Sequence, residues 1–353
     1  MAYRTIVWGT GNVGQPALRA VLANPQLELA GVIVSNPDKE GRDAGELCGR
    51  GATGVRATRD IDAALGAGAD AVAYCASGDF RPDEALNDIE RCLRAGINVV
   101  STSVYPLYDP QSAPDDLRRR MGDACASGKS SCFVSGIDPG FINDVFPLLL
   151  TGLCADVREI RAFEWFNYAY YDAEDAVRNL VGFGQPMDKM PLMISPGVPT
   201  MVWGSVLRLL ARGLGAELDE IREVVDRRAL PQTVTNQLGV FEKGTLGAFR
   251  FELQGIVAGE AKLVIEHVTR ISDDVATDWP RPEGSGAHGV RITGSPNIEL
   301  RIEAEEASGD RASGGNAMAA ARVVNAIPAV CAAAPGLLDA LSVPLAPVRG
   351  VLG

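Results

Sequence analysis

The stretch YRTIVWGTGNVGQP, Tyr3 to Pro16, constrains this chain more than any other. Ile6, Val7 and Trp8 read as a buried parallel strand that empties into glycines spaced Gly9-x-Gly11-x-x-Gly14. Pro16 to Ala23 reads as the first turns of a helix. In this arrangement the first glycine allows a tight turn, the second lets backbone approach a pyrophosphate, and the third permits close helix-on-strand packing. Phosphate oxygens then meet the helix's free N–H groups and the positive end of its dipole. A dinucleotide site is therefore expected at Gly9, Thr10, Gly11, Asn12, Val13 and Gly14, the alternative being a merely structural glycine turn.

The 353 residues exceed what one small core usually organises, which favours about two domains. A net charge of −12 argues against a nucleic-acid partner and an anionic membrane surface, since both rely on excess Lys and Arg. The longest apolar tract, Met318 to Leu338, contains Arg322, Asn325, Pro328 and Pro335, so it reads as a buried helix followed by a break, not as a membrane span. The chain begins on a strand, with no basic, apolar-cored leader. Its seven cysteines form no CxxC pair and have no histidine nearby. Free thiols in a reducing cytoplasm are expected, and no metal site.

A second apolar strand, Leu27 to Val34, ends in Ser35-Asn36-Pro37. Enzymes that bind NAD place an acid near here, about 20 residues past the glycines, on the ribose hydroxyls. That acid is missing. Ser35 and Asn36, followed by Lys39 and Arg42, suit the 2′-phosphate of NADP, so NADP(H) is favoured over NAD(H); a solvated basic loop is the alternative. Strands at Ala69–Tyr74, Ile97–Val100 and Ser131–Ser135 alternate with helices at Asp60–Leu65, Pro82–Ala95 and Ala113–Ala126. The result is an α/β chain whose N-terminal part, residues 1–143, is a Rossmann doubly wound parallel sheet. The alternation then stops. Val157 to Tyr171 is a strand running into an aromatic cluster, and Pro199–Gly213 and Glu217–Arg228 read as helices. Ala248–Ile256, Ala261–Ile271 and Val290–Glu303 alternate with period two, which describes a mostly antiparallel sheet in a second α+β domain over 144–310. Gly309 to Asn316 reads as a flexible bridge, and Ala317–Ala334 as a helix in a closing segment over 311–353. The apolar face with Phe249, Phe251 and Leu253 must be covered by helices or by a partner, so a homodimer is expected.

Five segments carry a family resemblance: GTGNVGQ (9–15), SNPDKEGRDAGELCG (35–49), VVSTS (99–103), GIDPGFIND (136–144) and AARVVNAIPAVCAAAPGL (320–337). Together they resemble the dihydrodipicolinate reductase-like oxidoreductases, in the branch of 2,4-diaminopentanoate dehydrogenase and the native amine dehydrogenases. The resemblance implies a Rossmann domain, a domain for substrate and dimerisation, and a C-terminal helix returning to the first domain. It also implies pyrophosphate on Gly11, Asn12 and Val13, and nicotinamide near Ser77, Ser101, Thr102 and Asn143. An asparagine offers the donor and acceptor that a carboxamide requires, although Asn143 also suits a helix cap.

Two departures from the family pattern bear on the chemistry. Dihydrodipicolinate reductase carries a paired-histidine motif, whereas His267 and His288 are far apart in this sequence. The amine dehydrogenases have a glutamate soon after the equivalent of Val99–Thr102, where this chain has Tyr105 and Pro106. A phenol cannot supply that charge near neutral pH, but it can donate a hydrogen bond to a carbonyl oxygen becoming an alkoxide. Tyr105 is thus either a catalytic donor or pocket wall. Phe141, Trp165, Tyr168, Tyr170 and Trp203 are expected to line an apolar substrate pocket, with packing as the alternative. Glu164 is a candidate displaced carboxylate, against the rule that strand charges are usually exposed or salt-bridged. The expected activity is NAD(P)H-dependent hydride transfer to or from a C=O or C=N carbon of a small, largely apolar substrate. Amine dehydrogenase chemistry with another acid, or a dinucleotide sensor without catalysis, are the alternatives.

Overall fold

A computed structural model describes residues 2–79, 81–171, 173–306 and 314–351. The chain divides into two compact units, Met1–Ile137 with Asn316–Gly353, and Asp138–Gly315.

The first unit follows the β/α rhythm of the sequence: β1 (Tyr3–Trp8), α1 (Gly14–Ala23), β2 (Leu27–Ile33), α2 (Ala44–Leu47), β3 (Ala57–Thr58), α3 (Ile61–Gly66), β4 (Ala71–Tyr74), α4 (Pro82–Arg94), β5 (Asn98–Ser101), α5 (Asp115–Gly128) and β6 (Ser131–Val134). Short, continuously apolar strands such as β4, buried along its whole length, belong in the middle of a sheet covered on both faces. All pairings are parallel, in the order β15 (Gly336–Leu338), β6, β5, β4, β1, β2, β3. The chain leaves β1 in one direction towards β2 and returns on its other side at β4. That reversal opens a crevice at the carboxyl ends of β1 and β4, where ligands bind in sheets of this type.

The second unit contains α6 (Val145–Thr151), β7 (Asp156–Asn167), α7 (Val198–Gly213), β8 (Glu220–Ala229), a small hairpin of β9 (Val234–Asn236) and β10 (Gly239–Phe241), β11 (Leu246–Val257), β12 (Glu260–Arg270), β13 (Gly286–Ser295) and β14 (Ile298–Ile302). Its six-stranded sheet runs β14-β13-β7-β12-β11-β8, antiparallel except for the β7–β12 pair. The last helix, α8 (Gly314–Ala332), sends Val323, Val324, Ile327 and Val330 into the same core as Val7, Leu18 and Phe133 of the first unit. The chain then adds β15 (Gly336–Leu338) as an edge strand beside β6.

Three expectations change. Glu217–Arg228 was expected to be helical, but Glu220–Ala229 is β8. Its Glu, Arg and Asp residues favour helix locally, whereas pairing with β11 makes it a sheet edge, where charged side chains prevent further pairing. Phe249, Phe251 and Leu253 are fully buried within one chain, so they need no partner. Trp203 of α7 packs on Phe251 with ring centroids 5.1 Å apart, and Phe183 lies 5.8 Å from Phe249. Of the expected bridge, Gly314 to Asn316 already belong to α8, and residues 309–313 lie outside the described residues.

Candidate active site

The glycine loop of the first unit divides its labour. Gly9 has φ +98°, and a Cβ there would stand 2.9 Å from the Ala76 amide nitrogen; one on Gly14 would stand 2.0 Å from the Gly9 carbonyl oxygen. Both positions are closed to side chains by the loop's own packing. A Cβ on Gly11 would meet nothing within 4 Å, and Gly11 and Asn12 are exposed. This opening lies before the N-terminus of α1, whose first turn carries no acid and whose cap residue, Val13, has no side-chain acceptor. An uncapped helix end beside open space, free of negative charge, fits a bound pyrophosphate.

Around that loop the Lys39 ammonium donates to the Thr10 carbonyl at 2.8 Å and lies 3.2 Å from its hydroxyl. Ser35 is exposed, and the Asn36 side chain caps the next turn by accepting from the Asp38 amide at 2.9 Å. Arg42 pairs with Glu46 at 2.7 Å. At the carboxyl edge, the buried Ser101 hydroxyl donates to the Tyr74 carbonyl at 3.0 Å and accepts from the Ser103 amide at 2.9 Å. Thr102 is half-buried, and its carbonyl accepts from the Tyr108 hydroxyl at 3.2 Å. The Ser77 hydroxyl donates to Asp79 at 2.9 Å, and the Tyr105 hydroxyl donates to the other Asp79 oxygen at 2.5 Å. Val104, just before Tyr105, has φ +71°; a β-branched residue held in that region is strained, as loops at functional sites often are. Burial, then the charge of Asp79, raises the Tyr105 phenol far above its ordinary range.

The second unit assembles a cluster from residues scattered in sequence. Strand register aligns Val225, Phe251, His267, Glu164, His288 and Ile302 in one row across all six strands of its sheet. At its centre, His288 Nε2 lies 2.9 Å from Glu164 Oε2, and His267 Nδ1 lies 3.5 Å from Glu164 Oε1. On its other side His267 Nε2 is 3.2 Å from Asp138 Oδ1, which also accepts from Trp203 Nε1 at 2.6 Å. The His267 ring is stacked on Phe251, centroids 4.6 Å apart, and meets Trp203 edge-on. The histidines, far apart in the sequence, therefore converge on one carboxylate, and Glu164 is neither an exposed strand charge nor salt-bridged to Lys or Arg.

The electrostatics follow from these contacts. Burial opposes charge on His267, but the Asp138 carboxylate, with Glu164 behind it, outweighs burial and pushes its pKa up to about 10. His288 is raised as well, its hydrogen bond to Glu164 overcoming burial. Burial likewise opposes charge on Glu164, yet its hydrogen bonds to His267 and His288 hold it well below the usual carboxylate range. Burial, then the Glu164 charge, raises Tyr168.

The other expected pocket residues separate. Tyr168 and Trp203 belong to the surroundings of this cluster. Trp165 points to the opposite sheet face, stacked on Phe163 at 4.2 Å and donating to Glu266 at 3.2 Å. Tyr170 is 56 % exposed, and Phe141 stacks on Phe146 at 5.6 Å. Asn143 is fully buried: its Oδ1 accepts from the Gly140 amide at 3.1 Å, and its Nδ2 donates to Asp138 at 3.3 Å. Asp79 and Asp138 were missed as functional candidates. Asp138 stands inside the quoted GIDPGFIND segment, so its place there was the available signal.

Residues 3–103 match the family model of the dihydrodipicolinate reductase N-terminus, and residues 141–350 match that of the 2,4-diaminopentanoate dehydrogenase C-terminal domain. An amine dehydrogenase of Streptomyces virginiae is 56 % identical, over 99 % of this chain and 98 % of its own length. The chain belongs to the amine dehydrogenase and 2,4-diaminopentanoate dehydrogenase family. It is an NAD(P)-dependent oxidoreductase. A more distant family member, the 2,4-diaminopentanoate dehydrogenase of Acetoanaerobium sticklandii, is 23 % identical over 99 % of this chain and 95 % of its own. The fold is shared with the amine dehydrogenase of Mycobacterium smegmatis, at a TM-score of 0.77 and 20 % identity, covering 99 % and 98 % of the two chains. Among the described residues no helix is long and apolar enough to cross a membrane.

Proposed function

We propose that this family member is an amine dehydrogenase for a small, largely apolar amine. The observation that carries this reading is the 56 % identity, over essentially both whole chains, to a protein of that name. The geometry supports it in two ways. The opening at Gly11 suits the pyrophosphate, which Gly11, Asn12 and Val13 would hold while Gly9 and Gly14 keep the loop closed. The Tyr105 hydroxyl, held by Asp79 and raised by burial, is a weak acid, which disfavours proton donation to a carbonyl oxygen. Tyr105 is then a positioning residue for Asp79. When bound, the nicotinamide supplies hydride chemistry; the protein binds, orients and excludes water.

In the oxidative direction the ammonium gives a proton to solvent, and the nicotinamide of a dinucleotide held at Gly11, Asn12 and Val13 would serve as the acceptor for the α-carbon hydride. The resulting iminium takes up water to give ketone and ammonium. The test is NAD(P)H oxidation on small ketones with and without ammonia. Ammonia-dependent turnover is expected; turnover on the ketone alone, indifferent to ammonia, would favour a carbonyl reductase.

Ser77, Ser101, Thr102 and Asn143 belong to the nicotinamide end in this reading. The buried hydroxyl of Ser101 shapes the turn after β5, and the engaged amide of Asn143 shapes the segment at Asp138 to Gly140. NADP(H) is preferred over NAD(H), supported by Ser35 and Asn36 where NAD enzymes carry an acid and by Lys39 and Arg42 beside them. The region 144–310 serves substrate binding and dimerisation, with Tyr168 and Trp203 nearest the substrate and Trp165 supporting the sheet behind. The location is cytoplasmic, in keeping with seven free cysteines.

A further inference from the structure

We infer that Glu164 is the amine-binding carboxylate of this enzyme, contacting the substrate nitrogen while Asp138, His267 and His288 hold it in place; the inference rests on the amine reading above. This chain has Tyr105 and Pro106 where the family resemblance leads one to expect a glutamate, so the charge that meets an ammonium must come from elsewhere. Four buried titratable groups form a continuous chain, Asp138–His267–Glu164–His288, with neighbours 2.9 to 3.5 Å apart. Within it only Glu164 is open to a ligand. Its side chain is 16 % exposed, against 0 % for Asp138, 1 % for His267 and 5 % for His288.

The chain also leaves Glu164 with charge to offer. Asp138, reinforced by the Trp203 indole N–H and the Asn143 amide, acts as the first counter-ion of His267. The two histidine contacts use one side of each Glu164 oxygen, and a carboxylate has about four acceptor sites, so room remains for an N–H donor. Phe251 and Trp203 clamp the His267 ring from two directions, which fixes the carboxylate without further hydrogen bonds. The groups facing Glu164 are His267 of β12, His288 of β13 and the Tyr168 phenol beyond β7, with Asp138 behind His267.

Its chemical role follows from its basicity. A carboxylate held below the usual range is a poor base but a lasting anion, so Glu164 does not take the ammonium's proton, which passes to solvent. As hydride leaves the α-carbon, a neutral amine becomes a cationic iminium, and the fixed negative charge stabilises that developing positive charge. The substrate class is a primary amine carrying no second charged group at the nitrogen end, since one anion faces it.

The test compares wild type with Glu164→Gln, Glu164→Asp and His288→Asn in ammonia-dependent reduction and in amine oxidation. Glu164→Gln is expected to lower kcat/KM for the amine roughly a hundredfold, with the NAD(P)H dissociation constant unchanged. Glu164→Asp should recover part of that loss by restoring the charge. His288→Asn removes one of the two imidazoles that hold Glu164 and is expected to lower kcat/KM for the amine by less than Glu164→Gln does, again with the NAD(P)H dissociation constant unchanged; a fall as large as that of Glu164→Gln would place the reacting contact on His288 and overturn the inference. Glu164→Gln within threefold of wild type would overturn the inference while leaving the amine reading intact. Wild type without ammonia-dependent turnover would overturn the amine reading first and this inference with it. If Glu164→Gln does not fold, Glu164→Asp decides: amine kcat/KM unchanged from wild type overturns the inference, and a fall of tenfold or more supports it.

Discussion

Tyr105 gives its hydroxyl hydrogen to Asp79 over 2.5 Å, and that bond governs what the phenol can do. A hydrogen bond to a charged acceptor contributes about 1.5–3 kcal/mol, and here it also ties up the proton that a carbonyl substrate would need. Tyr105→Phe keeps the ring and releases Asp79. Amine turnover should fall less than tenfold with cofactor affinity unchanged, as read by steady-state kinetics and fluorescence titration; a hundredfold fall in ketone reduction without ammonia would return Tyr105 to the role of proton donor. The contrast with Glu164 is one of surroundings. Asp79 is exposed and held by two hydroxyls, whereas Glu164 sits between imidazoles whose cationic forms are favoured by the anions around them.

At the scale of elements, two strand ends carry the expected cofactor preference. The loop after β1 packs so closely that Gly9 and Gly14 exclude any side chain, leaving Gly11 as the open position before α1. The turn after β2 presents Ser35 and Asn36 in solvent, and Lys39 is already anchored to Thr10. A 2′-phosphate meets no acid at the end of β2, and adding one should repel it. NADPH is therefore expected to bind more tightly than NADH to wild type, and Ser35→Asp to reverse the order, with both measured by fluorescence titration. Equal or tighter NADH binding in wild type would remove the basis for the preference. The sequence already pointed to both loops, because the glycine spacing and the missing acid are local signals. It did not reveal that the Asn36 side chain is engaged with its own turn, nor that Arg42 has a partner in Glu46. Those contacts depend on how the loop folds back.

For the whole molecule, the motive for a dimer changes with the packing. The face carrying Phe249, Phe251 and Leu253 is sealed inside the chain, so any partner must use another surface. The opposite face of the same sheet presents Arg222, Val224, Arg250 and Gln254, with Val224 44 % exposed, beside a charged belt in which Arg161 meets Glu252 at 2.6 Å and Glu266 at 2.7 Å. A homodimer through this second face is the expected state, and light scattering at micromolar concentration checks it. If the chain dimerises there, Val224→Asp should shift the population towards monomer; a wild-type monomer would count against the dimer.

The sequence by itself determined the elements whose signals are local: the strand, glycine turn and helix of the first 23 residues, the β/α alternation to Val134, and the period-two strands β11 to β14. Each depends on neighbours a few residues away, so composition and spacing suffice. Tertiary structure alone decided β8, whose charged residues favour helix until β11 offers an edge, and β15, three residues that become a strand only beside β6. It also decided the Glu164 cluster. His288 lies 124 residues beyond Glu164, and only the register of β7, β12 and β13 brings both histidines to one carboxylate. A one-residue slip in any of those strands would turn its side chain to the opposite face, and no local pattern specifies that alignment.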